Sequence, residues 1–326
     1  MNEKPRRLRN NEFSRKMTRE TRLSASSLIL PLFIRYGQGV IEDIHSLEGQ
    51  KRYSADTVAQ AVEDALKSDV NSFMLFGIPE HKDELGSGAF AEDGIVQQSV
   101  KMLRQRFGKD IFIITDVCLC EYTSHGHCGM IKDGHVHNSS SLPIIAKTAV
   151  SHAQAGSDMV APSDMMDGRI HSIRLALDEN NFEDMPIMSY AAKYSSAFYG
   201  PFREAVGSAP SFGDRKTYQM DYHNSKEAVK EVLLDVKEGA DIVMIKPALS
   251  YLDIIHKAAN EVNLPVAAYS VSGEYAMIKA AAKLGLANEY NMMCETAVSI
   301  FRAGAHTLIT YYAKELATAI KKGDIG

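Results

Sequence analysis

Eight short apolar runs, separated by helical patterns, constrain this chain more than any other feature. They cover residues 28–34, 72–76, 111–116, 159–163, 187–191, 242–246, 266–270 and 307–311. Each is nearly continuous rather than alternating, as parallel strands covered on both faces are. Between them, periodicity and stop signals predict helices over 55–67, 95–107, 143–155, 169–180, 226–238, 251–262, 275–284 and 292–303. Gly108, Gly156, Gly239, Gly285 and Gly304 stand where such helices stop. One turn recurs before a run, as Ala155-Gly156-Ser157-Asp158, Glu238-Gly239-Ala240-Asp241 and Ala303-Gly304-Ala305-His306. The alternation predicts an α/β chain folded as a closed (β/α)₈ TIM barrel. The competing open doubly wound sheet lacks its glycine-rich phosphate fingerprint after the first run.

The barrel is expected over 27–326, preceded by an arm at 1–26 carrying Arg6, Arg7, Arg9, Arg15, Arg19 and Arg22. Glu3, Glu12 and Glu20 argue against a targeting peptide, so the arm is read as lying on another subunit. Segments 36–54 and 194–223 are too long for simple loops. The second follows the fifth run at the end where barrel enzymes place their chemistry, and is read as an active-site lid. A net charge of −5 gives no support for a nucleic-acid partner. No apolar run approaches the roughly 20 residues that span a bilayer. The N-terminus has no apolar export signal, and the clustered cysteines suit a reducing cytoplasm.

Three of the four cysteines, Cys118, Cys120 and Cys128, fall in the stretch from Asp116 to Cys128 at the end of the third run. Thiols at i and i+2 on extended chain point the same way, and a turn at Gly126 can return Cys128 to them. Three thiolates suit zinc, and three protein ligands leave a catalytic position open. His125 or His127 can also fill that position, so open and closed sites both remain. Buried reduced thiols are the plain alternative.

A barrel gathers strand C-termini at one mouth. Asp116, Ser163, Asp164, Lys193, Lys246, Ser270, Ser272, Tyr311 and Tyr312 all stand there. Lys193 and Lys246 follow consecutive runs, and neighbouring strands lie about 4.8 Å apart. Burial and a like charge each lower a lysine pKa, and a neutral amine forms Schiff bases with ketones. Pairing with acids is the structural alternative. Arg203, Arg215 and Lys216 in the expected lid suit a substrate carboxylate, or are solvated loop charges. Ser272 and Tyr311 offer hydroxyls to a second carboxylate.

Assembled, these residues resemble the porphobilinogen synthase (5-aminolaevulinate dehydratase) family. The similarity covers nearly the whole chain. It includes Asp-Val-Cys-Leu-Cys-Glu-Tyr-Thr-Ser-His-Gly-His-Cys-Gly from Asp116, Ala-Pro-Ser-Asp-Met-Met-Asp-Gly-Arg from Ala161 and Ser-Ser-Ala-Phe-Tyr-Gly-Pro-Phe-Arg from Ser195. It continues with Asp-Arg-Lys-Thr-Tyr-Gln-Met-Asp from Asp214, Met-Ile-Lys-Pro-Ala from Met244 and Tyr-Ser-Val-Ser-Gly-Glu-Tyr-Ala-Met from Tyr269. The resemblance implies a cytoplasmic hydro-lyase of haem and other tetrapyrrole synthesis. It condenses two 5-aminolaevulinate molecules to porphobilinogen with loss of two waters. Both lysines would form Schiff bases, Lys193 on the acetate side and Lys246 on the propionate side. Arg203, Arg215 and Gln219 would bind the first carboxylate, Ser272 and Tyr311 the second, and Asp116 would assist as a base or hydrogen-bond partner. Cys118, Cys120 and Cys128 match the zinc form of the metal motif. Glu231 matches the site of an allosteric magnesium at a subunit interface, and a homo-octamer with wrapping arms is the typical assembly. Departures are small: Ile245 precedes the second lysine, and one residue is added around 208–213.

Overall fold

The computed structural model describes residues 3–326, so Met1 and Asn2 of the expected arm lie outside the described residues. Its parallel strands are β1 (Leu28–Arg35), β2 (Ser72–Ile78), β3 (Phe112–Val117), β4 (Met159–Pro162), β5 (Met188–Lys193), β6 (Ile242–Lys246), β7 (Val266–Tyr269) and β8 (Thr307–Ile309). They pair in the order β4-β3-β2-β1-β8-β7-β6-β5. The remaining gap is closed by a parallel bridge between Val160 and Ile187, where the Val160 N–H donates to the Pro186 carbonyl at 3.1 Å. The sheet is therefore a closed barrel ringed by helices, as the alternation requires. Its strands are buried on both faces, with Leu28, Ile34, Phe73 and Ile113 almost wholly excluded from water. Each such side chain contributes about 1.5–3 kcal/mol relative to exposure.

The helices Ile95–Phe107 and Lys226–Glu238 keep their expected bounds. Arg169–Glu179 begins where expected, and others begin elsewhere. Asn138–Ala155 starts five residues early and carries Pro143 inside it, with the His137 ring accepting from the Ser140 N–H at 3.3 Å. Val58–Leu66 starts late because Ser54 and Thr57 tie residues 54–57 into a turn. Two helices were not anticipated: Gly200–Val206 inside segment 194–223, and Ala313–Lys321 after β8, although the latter has the helix formers and apolar spacing of an amphipathic helix. Segment 36–54 holds an antiparallel hairpin, Ile41–Asp43 with Lys51–Tyr53, whose second strand continues the sheet beside β1.

The arm forms a 3₁₀ turn, Pro5–Arg9, and a short helix, Glu12–Met17, neither with a buried residue. Its root is fixed by Arg19, which donates to the carbonyls of Gly323, Asp324 and Gly326 at 3.3, 2.8 and 3.2 Å. Among the described residues, no helix is long and apolar enough to cross a membrane.

Candidate active site

The two lysines end β5 and β6 and stand side by side in register. A bulge makes this possible. Ser189 pairs with Val243 and Ala192 with Ile245, so β5 carries one residue more than β6 across that interval. Without it Ala192 would face Lys246, and strict alternation from the inward Tyr190 would turn Lys193 out of the barrel. With it, both amines flank one ring: Lys193 Nζ lies 5.4 Å and Lys246 Nζ 5.1 Å from the Tyr190 centroid.

Their surroundings differ. Lys246 Nζ sits 4.2 Å from the Tyr269 ring and 5.2 and 5.1 Å from those of Tyr199 and Phe202. Burial, then the charge of Lys193, pushes its pKa down to about 7. Lys193 Nζ instead donates to the Ser163 carbonyl and faces the cysteines. Burial presses its pKa down, but negative charge on Cys128, Cys118 and Cys120 outweighs this, and the net shift is upward. The expectation that each lysine neutralises the other thus holds for Lys246 alone. Beside them Asp116 Oδ2 accepts from Ser163 Oγ at 3.1 Å, and burial with the Glu121 charge raises the Asp116 pKa to about 7.

The three sulfurs converge. Cys118 Sγ lies 3.4 Å from Cys120 Sγ, and all three lie within 4.8 Å of one another. No other group of three or more His, Cys, Asp or Glu side chains does this among the described residues. All three thiols are free and buried. The cysteines lie past the end of β3, in a bend rather than on the expected extended chain, with Leu119 turned into the core. Gly126 makes the return turn at φ +70°, and a Cβ there would stand 2.5 Å from the Ala209 carbonyl oxygen. Neither histidine joins the sulfurs. The His127 ring nitrogens contact Tyr218 Oη and the Phe212 carbonyl, each at 3.0 Å, and His125 Nδ1 accepts from the His127 N–H at 3.1 Å.

Segment 194–223 closes over this constellation. A cavity of about 20 Å³ is lined by Asp116, Cys120, Lys193, Lys246, Arg203 and Arg215, among others. Arg215 donates to the Gly126 carbonyl at 2.9 Å, while its Nε, Arg203 Nε and both amide atoms of the buried Gln219 lack partners. Buried polar groups are nearly always bonded, so the unpaired Arg203 and Arg215 nitrogens on this cavity mark where an anionic ligand fits. Other expected residues lie further out. Gln219, Lys216 and Glu231 line a separate cavity of about 330 Å³ with Asp167 and Glu227. Ser272 accepts from the Phe202 N–H at 3.0 Å, and Tyr311 touches the site through Tyr269, their hydroxyls 3.4 Å apart.

The sequence reading gave no role to Tyr190 or Glu121. Tyr190 lies at the β5 bulge, which leaves no compositional mark. Glu121 accepts from Cys120 Sγ at 3.1 Å, and burial, then the Cys120 charge, raises its pKa to about 8. Its place beside Cys120 was the available signal.

Comparison with known proteins identifies the family. The family profile described as Delta-aminolevulinic acid dehydratase matches residues 2–319. A delta-aminolevulinic acid dehydratase of Archaeoglobus fulgidus is 53% identical over 305 residues, covering 94% of each chain. One of Staphylococcus aureus is 47% identical over 320 residues, covering 97% of this chain and 98% of the relative. The crystal structure of the Toxoplasma gondii enzyme with its product porphobilinogen matches with a TM-score of 0.95 at 41% identity, covering 98% of this chain and 91% of that one. In sequence, in fold and over nearly its whole length, the chain belongs to the delta-aminolevulinic acid dehydratase family.

Proposed function

We infer that this chain is a porphobilinogen synthase: it condenses two 5-aminolaevulinate molecules to porphobilinogen with loss of two waters, a hydro-lyase step of tetrapyrrole synthesis. The observation that carries the chemistry is the pair of in-register lysines on one cavity, one of them titrating near neutrality. The neutral Lys246 amine attacks the ketone of one substrate and expels water as the imine forms. Lys193 does the same with the other. A carbon adjacent to the Lys193 imine loses a proton and attacks the Lys246 imine carbon. Elimination then frees Lys246. The amine of the Lys246-bound substrate adds to the Lys193 imine carbon, displaces that lysine, and a final proton loss gives the pyrrole. Two waters leave and both lysines are regenerated. Asp116, bonded to Ser163 and titrating near 7, is suited to accept and return protons beside the imines.

Arg203 and Arg215, with Gln219 from the neighbouring cavity, supply donors for the first carboxylate, and the unpaired Nε of each arginine is available to it. Ser272 and Tyr311 serve the second. Segment 194–223 acts as a lid, since a 20 Å³ cavity holds about one water. Three converging free thiols are a donor set for zinc. Bound there, zinc supplies Lewis-acid polarisation of the first substrate. A cation held by the three sulfurs would offset the thiolate charge that raises the Lys193 pKa. Glu231, with Asp167 and Glu227, offers oxygen donors for a largely hydrated allosteric magnesium, which binds through one or two carboxylates. The arm, with Leu8, Phe13 and Met17 exposed, is assigned to contacts in a homo-octamer working in the cytoplasm.

Metal content and porphobilinogen formation, measured before and after a thiol-compatible chelator, test this reading. Zinc and activity are expected to leave together and return together on zinc addition. Full activity in metal-free protein would overturn the zinc assignment, and no porphobilinogen from metal-loaded protein would overturn the reaction.

A further inference from the structure

We propose that Arg52 and Lys82, two cations outside the reacting cavity, form a latch that holds the helix Gly200–Val206 over it. The latch is broken and remade in each turnover. The inference rests on reading that cavity as the reaction site.

The helix carries the parts that shut the cavity. Phe202 puts its ring 5.1 Å from Lys246 Nζ and packs on Phe76 and Phe33, centroids 5.1 and 5.8 Å apart. Arg203 lines the same space. Two substrates do not fit in about 20 Å³, so this helix must lift to admit them.

A short helix ends in carbonyls with no partner of their own. Here Arg52 and Lys82 take the last of them, the Glu204 carbonyl also accepting from the Gly207 N–H at 3.4 Å. Arg52 Nε donates to the Ala205 carbonyl at 2.6 Å and its Nη2 to that of Glu204 at 3.1 Å. Lys82 Nζ donates to the Gly207 carbonyl at 2.6 Å. Cations at a helix C-terminus also meet the negative end of its dipole. Both are rooted in fixed structure. Arg52 lies in the hairpin strand paired to β1, and Lys82 in the loop after β2. Arg52 is braced by Glu42, Nη1 to Oε1 at 2.6 Å, and Arg35 at the end of β1 holds the other Glu42 oxygen. Neither cation lines the cavity, so each acts as a positioning residue through the helix.

The test compares Arg52→Gln, Arg52→Lys and Lys82→Gln with the wild type as full-length, zinc-loaded enzyme. It reads amide hydrogen exchange and the kinetics of porphobilinogen formation. Losing a charged hydrogen bond to a carbonyl is expected to raise exchange across residues 200–208 about tenfold, with the barrel strands unchanged. KM for 5-aminolaevulinate rises by a similar factor, while kcat holds or increases because the cavity reopens more easily. Arg52→Lys, keeping the charge but not the fork, falls between. Exchange and KM within twofold of wild type in both glutamine variants would overturn the latch, as would a rise spread evenly over the barrel. Should Arg52→Gln not fold, Lys82→Gln decides alone. If the wild type forms no porphobilinogen, the reaction assignment fails, whereas exchange at 200–208 still decides the latch.

Discussion

Lys193 and Lys246 close neighbouring strands, flank one tyrosine ring and are equally buried, yet their proton affinities move in opposite directions. Lys246 is walled by ring faces, and Lys193 faces negative sulfur. Burial alone would make both amines neutral. The difference teaches that strand register places a nucleophile, while the charge opposite it decides when the nucleophile is active. The two sites are thus coupled, because the positive charge on Lys193 helps keep Lys246 neutral.

The strongest way to break the comparison is Lys246→Ala. Turnover should fall about 10⁴-fold or more with the far-UV circular dichroism unchanged, as when a covalent nucleophile is lost. A loss below tenfold would mean that Lys193 needs no partner. Inserting an alanine between Ala192 and Lys193 moves Lys193 one residue past Lys246 and should turn it away from the cavity while sparing Lys246. The expected result is a folded protein that binds ketone at Lys246 alone, with kcat down more than about 10²-fold. Adducts at both lysines would show that strand register does not set their alignment. The smallest effect is expected from Tyr269→Leu, which removes the ring nearest Lys246 Nζ. A ring face favours the ammonium form, so its loss should lower the Lys246 titration midpoint by a few tenths to about one pH unit. An upward movement would mean that the ring acts on Lys246 by excluding water rather than through its face.

The strands were legible because two-sided burial leaves continuous apolar runs, and helix ends were legible where a glycine adopts positive φ, as at Gly108, Gly156 and Gly239. Some helix starts were not, as where Asn138-Ser139-Ser140-Ser141 reads as a turn and Pro143 as a beginning. The helix Gly200–Val206 is too short for a periodic pattern, and its carbonyls depend on Arg52 and Lys82, over a hundred positions away. The lysines and cysteines stood out by type and place. What composition did not carry was orientation: the β5 bulge, the bend holding the sulfurs, and the thiolates that separate Lys193 from Lys246.

The central claim is most directly tested by borohydride trapping of 5-aminolaevulinate across a pH series, with peptide mapping of both lysines in zinc-loaded and chelator-stripped protein. Only the neutral amine reacts, so labelling must rise as pH climbs through each pKa. In stripped protein, Lys246 should label with a midpoint near 7 and Lys193 only at higher pH, and zinc loading should narrow the gap between them by offsetting the thiolate charge. If both lysines label together with one midpoint in stripped protein, the opposition between their surroundings does not govern their chemistry.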